Sequence, residues 1–265
     1  LVPVETEGDQ NLTDPLYKMG IQGIFTKTLD SALLNQKIDI AVHSLKDVPT
    51  LLAKGIQISA VLARDAHQDV IVYHPKKEKN KIIGTGSLRR KAQWLRKYPE
   101  YKIENLRGNI QKRLEKLEQS SWYGALFAKA GIERLGLSSI NYEPLDWMIS
   151  APAQGVVGVA SLKSNSKIQP YLKKINCEQT ELCVKVERTF LNILEGGCTA
   201  PIGAYSKIKN NTLVFKGGLF SLDGKEAITL NDQIPLNQYK EFGEKAANKI
   251  LKQGGISLLK KIKSK

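Results

Sequence analysis

Four short stretches of this chain place charged or nucleophilic side chains where turns can aim them at a ligand. In His43-Ser44-Leu45-Lys46-Asp47-Val48-Pro49 a Lys-Asp pair follows a run with apolar residues at 38, 40 and 42. That run reads as a strand over 38–45, and in open α/β sheets ligands bind beyond the carboxyl ends of strands. Lys46 there can meet a substrate carboxylate, and Asp47 can stabilise a developing positive charge; a solvated surface turn fits the same residues. In Gly84-Thr85-Gly86-Ser87-Leu88-Arg89-Arg90 a strand runs into small residues and opens a helix. Helix N-termini bind anions, and two arginines on a first turn can grip carboxylates or phosphates. The stretch lacks the third glycine of a dinucleotide fingerprint and the Gly-Lys-Ser/Thr of a P-loop. Arg107 and Arg113 repeat the logic one unit later, and four arginines about one cleft would suit a ligand with several carboxylates. In Glu195-Gly196-Gly197-Cys198-Thr199 a cysteine sits in a glycine-rich loop just past a helix, open to a covalent role or to a buried turn.

The elements that must position these residues alternate. Helical spacing at Phe25, Leu29, Ala32 and Leu33 precedes the strand at 38–45. Strands are predicted at 56–62, 70–73, 82–83, 101–106 and 125–128, with helices after Ser87 and Asn109. Alternation of this kind predicts α/β layers with largely parallel sheets. Beyond 176 the character changes. A helix spans 181–194, and strands at 213–220 and 227–230 flank the hairpin signal Asp223-Gly224. An amphipathic helix over 238–252 then stops at Gly254-Gly255, which makes this last part a small α+β unit. Residues 10–22 read as a loop.

The 265 residues carry 40 Lys and Arg against 26 Asp and Glu, a net charge of +14 that points to an anionic partner. Nucleic acid is disfavoured, because the basic residues are scattered and no helix-turn-helix or RNP signature occurs. No apolar run reaches membrane-spanning length, and early acids argue against a signal peptide. Three cysteines without Cys-x-x-Cys and three histidines without ligand spacing predict no metal site. A reducing, cytoplasmic setting is expected.

Seven segments, in order, resemble the porphobilinogen deaminase (hydroxymethylbilane synthase) family: LVPVETEGD (1–9), IDIAVHSLKDVPT (38–50), GTGSLRRKAQ (84–93), LRGNIQKRL (106–114), AKAGIERLGL (128–137), APAQGVVGV (151–159) and EGGCTAPIGAY (195–205). The resemblance implies two α/β domains like type-II periplasmic binding proteins, with a C-terminal α+β domain. The boundaries would be 1–62 with 154–175, then 63–153, then 176–265. It implies deaminative joining of four porphobilinogen molecules on a covalent dipyrromethane cofactor, followed by hydrolysis to hydroxymethylbilane. Asp47 matches the catalytic aspartate and Cys198 the thioether attachment point. Lys46, Ser44, Thr85, Ser87, Arg89, Arg90, Arg107, Gly108 and Gln154 match cofactor-binding positions, and Arg113 and Lys18 substrate-binding ones. A monomer is the family expectation. The family's first strand and helix, with an Arg-x-Ser motif, normally precede the segment at which this sequence opens. Gln22, Tyr123 and Ala160 also depart from the family pattern.

Overall fold

The structure, a computed structural model, describes residues 2, 4, 26–76, 80–137, 140–194 and 200–264. Helix α1 (Lys27–Leu34) buries Leu33 against Ala41, Ile56 and Ala160, so the helical face predicted around Leu29 and Leu33 packs on the first sheet. That sheet has the order β1 (Ile40–Ser44), β8 (Val157–Leu162), β2 (Ile56–Val61), and both pairings are antiparallel.

The second sheet has the order β5 (Lys102–Glu104), β4 (Ile82–Gly84), β6 (Gly124–Ala128), β3 (Asp69–Tyr73), β7 (Tyr142–Pro144). Strands β5, β4 and β6 run parallel, and β3 is antiparallel to both β6 and β7. Helices α2 (Leu88–Lys97), α3 (Ile110–Gln119) and α4 (Lys129–Arg134) follow β4, β5 and β6 in turn. One cluster holds Val70, Val72, Phe127 and Leu117, and another Ile71, Ile83, Leu126 and Trp94. Alternate residues of β3 and β6 therefore feed opposite faces, as expected of a sheet covered on both sides.

The expectation of largely parallel sheets is corrected here. Among the described pairings only β4–β5 and β4–β6 are parallel. Parallel neighbours need a crossover of a dozen or more residues. Strand β3 follows β2 after residues 62–68 alone and enters a different sheet. Strand β8 makes the return journey. Each travelling strand is slotted antiparallel between neighbours that run parallel to one another.

After α5 (Gln169–Ile175), the long helix α6 (Glu178–Ile193) lays Cys183, Val186 and Phe190 on the third sheet. This is an antiparallel meander of β9 (Ile202–Lys209), β10 (Thr212–Phe220) and β11 (Ala227–Pro235). The Phe215 ring meets those of Phe190 and Phe242 edge to face, at 5.1 and 5.4 Å. Such pairs add about 0.5–1.5 kcal/mol beyond the area they bury. The Asp223-Gly224 hairpin is present, with Gly224 at φ +74°. The predicted helix over 238–252 is shorter, α7 (Phe242–Ile250), and Gly254 at φ +106° separates it from α8 (Ile256–Lys263). Strands β7, β8 and β9 and helices α4, α5 and α8 were not anticipated from periodicity. Among the described residues no helix is long and apolar enough to cross a membrane.

Candidate active site

Strand β1 delivers the chain into a single 3-10 turn, Leu45–Asp47. Leu45 and Val48 are buried with Val61, Val156 and Val184. The Leu45 amide donates to the Val156 carbonyl at 2.9 Å. With both flanks anchored, the turn carries Lys46 half-buried and Asp47 exposed, and Ser44 before it is exposed.

Helix α2 opens beside it. The Ser87 hydroxyl accepts from the Arg90 amide (3.4 Å), and the buried Thr85 hydroxyl accepts from the Ser87 amide (3.2 Å). Gly86 is required by packing: a Cβ there would lie 2.7 Å from the Leu106 carbonyl, so the turn before α2 presses on the turn that carries Arg107. Gly108 sits at φ +112°, and its carbonyl accepts from Arg113 Nε at 2.6 Å. Asn109 caps α3 by accepting from the Lys112 amide.

The sequence suggested that Arg89 and Arg90 reach for a ligand. In the structure both are buried, and both are engaged by a carboxylate that the sequence reading passed over. Arg89 donates to the two oxygens of Asp69 at 2.6 and 3.0 Å, and Arg90 Nε to one of them at 2.8 Å. Their remaining described bonds go to the carbonyls of Ile149 and Leu126 and to Gln154 Oε1 (3.5 Å). Gln154 Nε2 donates to Asp69 (3.0 Å) and to the His67 carbonyl (2.8 Å). Burial alone would raise the Asp69 pKa, but the Arg89 and Arg90 charges and the hydrogen bonds from Arg89 and Gln154 outweigh it. The carboxyl is held well below the usual range.

The field of this group is shared. Burial pushes the Lys46 ammonium down to about 8, with Arg90 and Arg89 adding to the fall and Asp47 and Asp69 opposing it. Burial, Arg90 and Arg107 push Arg113 down to about 10, against Asp47. Among the described residues, Lys46, Arg89, Arg90, Arg107 and Arg113 thus act on one another around Asp47 and Asp69, five cations with two carboxylates. Three of those cations, Lys46, Arg90 and Arg113, already sit below their ordinary pKa. Such a cluster is short of negative charge, and a polyanionic ligand would supply it.

Residues 1–170 match the family model described as porphobilinogen deaminase, dipyromethane cofactor binding domain, and residues 181–252 match the porphobilinogen deaminase C-terminal domain. This chain belongs to the porphobilinogen deaminase family. Curated porphobilinogen deaminases agree along its length. The one from Desulfitobacterium hafniense is 39% identical over 100% of this chain and 87% of its own. That from Desulforamulus reducens is 36% identical, covering 100% and 88%. That from Carboxydothermus hydrogenoformans is 40% identical, covering 99% and 87%.

Of the residues singled out by their match to this family, the structure gathers Lys46, Asp47, Arg89, Arg90, Arg107 and Arg113 into one electrostatic group. Ser87, Thr85 and Gly108 shape the two turns that present it. Gln154 lies under the group, bonded to Asp69. Cys198, Lys18, Gln22 and the loop predicted over 10–22 lie outside the described residues. Ala160, at the centre of the first sheet, is packed against Leu33 and Ala41. Tyr123 packs edge-on against Tyr73 and Tyr101.

The sequence reading also missed what ties the three sheets together. Glu187 on α6 is wholly buried. It accepts from Arg64 (2.8 Å), from the Ala153 amide (2.8 Å) and from the amide and hydroxyl of Ser206 (2.7 and 2.9 Å). The His67 ring stacks on Tyr205 at 3.6 Å and shares a hydrogen bond with Ser150. The available signal was an acid inside an apolar helical stripe, Val184, Val186, Glu187, Phe190.

Proposed function

We propose that this chain acts as a hydroxymethylbilane synthase, joining four porphobilinogen molecules head to tail with loss of ammonia, and that Asp47 is its catalytic group. The observation that carries this reading is the five-cation group around the exposed Asp47. Porphobilinogen brings an acetate and a propionate, so each added ring brings two carboxylates to a group in which described cations outnumber described carboxylates. Lys46, Arg107 and Arg113 are the proposed partners of those carboxylates. Arg89 and Arg90, held by Asp69, contribute fixed positive potential and the bonds that Asp69 leaves over. Ser44, Thr85, Ser87 and Gly108 line the same turns, Gln154 holds the floor, and Lys18 is proposed to meet incoming substrate.

The cation excess also fits a resident dipyrromethane with four carboxylates, attached through a thioether at Cys198. When bound, that group supplies the first free pyrrole α-carbon for chain growth. In this reading Asp47 accepts hydrogen bonds from the pyrrole N–H of the substrate. As the amino group of the aminomethyl side chain leaves as ammonia, the ring and its retained methylene are left cationic, and the Asp47 carboxylate offsets that charge. A bound dipyrromethane would supply the α-carbon that bonds to this methylene with loss of its α-proton, and water would release the finished chain. The reading extends to the three-domain division given above and to a monomer working in the cytoplasm.

Two measurements test it. Intact mass should exceed the sequence mass by one dipyrromethane, and Cys198→Ser should remove the excess. Asp47→Ala should retain that mass and lose at least 100-fold in turnover. Full turnover by Asp47→Ala would overturn the assignment.

A further inference from the structure

The turn that carries Lys46 and Asp47 is held from behind by one side chain. Arg188, on the third turn of α6, donates Nη1 to the Val48 carbonyl (2.8 Å) and the Leu45 carbonyl (3.3 Å), and Nη2 to the Pro49 carbonyl (2.6 Å). One helical turn further on, Asn192 accepts from the Thr50 hydroxyl at 3.0 Å. These bonds bracket Lys46 and Asp47 on both sides.

Three features argue that the strap does more than fill space. Burial alone pushes the Arg188 pKa down, and no acid is among the causes, so a charge is kept here with carbonyl oxygens for partners. The nearby acids of α6 are engaged elsewhere, Glu181 by Lys185 and Glu187 by Arg64. A cavity of about 310 Å³ opens beside Leu45 and Thr50, bordered by β2 and by α6 at Val184, Arg188 and Asn192. Leu45 and Val48 pack with Val184 on one side of this contact, and beside the cavity the guanidinium spans from helix to turn.

Helix α6 ends at Ile193, and Cys198 follows five residues later in the sequence. We infer that Arg188 is a positioning residue for the reaction: it sets the Asp47 turn in register with the helix that leads to the proposed cofactor cysteine. The inference rests on the assignment of Asp47 in the preceding subsection. Arg188 touches backbone carbonyls alone among the bonds described for it, so its effect passes through the position of Asp47 and not through the substrate.

The test uses the full-length, cofactor-loaded chain. Arg188→Lys keeps the charge but cannot fork across three carbonyls. It should lower kcat 10- to 100-fold per cofactor-loaded molecule, with KM within about threefold and intact mass unchanged. Asn192→Ala, at an exposed position, should lower kcat two- to fivefold and remains informative should Arg188→Lys not fold. Lys185→Ala, on the same helix, serves as the neutral control. A kcat within twofold of the parent for Arg188→Lys overturns the inference; so does an unchanged kcat for Asn192→Ala if Arg188→Lys does not fold. A KM rise that accounts for the whole loss also overturns it, because that would place Arg188 in substrate binding. Asp47→Ala separates the two levels: if it abolishes turnover while Arg188→Lys is silent, the proposed function stands and only the positioning role falls.

Discussion

Replacing Asp69 by asparagine removes a carboxylate that is hydrogen-bonded to both buried arginines. Asp69 is fully buried and receives three hydrogen bonds from Arg89 and Arg90 and one from Gln154. A hydrogen bond to a charged group is worth about 1.5–3 kcal/mol net. The carboxamide keeps the shape and one acceptor oxygen, so roughly half of that set survives. The two guanidiniums also lose their counter-charge, and breaking a buried pair from one side costs about 3–5 kcal/mol. Both routes put the loss near 3–5 kcal/mol, a large part of the roughly 5–15 kcal/mol that holds a folded protein. Urea unfolding followed through Trp94 and Trp147 fluorescence should show it at pH 7. The pH dependence is a sharper check. The Asp69 carboxyl is depressed in the folded chain, so its contribution is present above the ordinary carboxylate pKa of about 4 and is lost as pH falls below it. The gap between parent and Asp69→Asn should therefore narrow by about 1.4 kcal/mol per pH unit below roughly pH 4. A loss under about 1 kcal/mol at pH 7, or a gap that stays constant down to pH 3, would refute the reasoning.

Two further outcomes follow from geometry and charge. Gly224→Ala should lower the melting temperature by about 5–12 °C, since a Cβ there meets the Ala92 carbonyl at 2.3 Å and the Arg96 amide at 2.7 Å at φ +74°. Gly136→Ala, at φ +65° with open space around it, should cost only the backbone strain of about 1–2 kcal/mol; equal shifts in calorimetry would show that close packing on α2 is not the cause. Lys46 titrates at about 8 and carries its charge below that pH, so KM for porphobilinogen should rise as pH passes through 8. Lys46→Gln should have a raised KM without that inflection, and an inflection that persists in it assigns the titration to another group.

The motifs were more legible than their partners. Gly84-Thr85-Gly86-Ser87 reads correctly as a turn that opens a helix, because small residues and a capping serine act locally. That Arg89 and Arg90 turn onto Asp69 was not legible, since the acid lies twenty residues earlier on a strand two places across the sheet. Its one local sign was a charge opening the apolar run Asp69-Val70-Ile71-Val72, which the strand prediction began one residue too late to include. Strand β8 escaped for a related reason. Val157-Gly158-Val159-Ala160-Ser161-Leu162 is buried along most of its length, so it lacks the alternation that marks a half-exposed strand. Its antiparallel sense follows from the path between sheets, which no window of neighbouring residues contains. Arg188 carried no sign of its role, because its partners are carbonyl oxygens and a carbonyl has no letter in the sequence.

Among the described strands of the first sheet β8 is the middle one, pairing with β1 on one side and β2 on the other. On a ribosome β1 and β2 emerge before β8, the described strand that pairs with both. Roughly a hundred residues more must be made before their common neighbour appears, a wait of about 5–20 s at ordinary elongation rates. In that interval the five strands of the second sheet are all synthesised. Order of assembly is thereby reversed with respect to order of birth: the part made first is completed only after the part made second, and the turn bearing Asp47 takes its place when β8 arrives to receive the Leu45 amide at Val156.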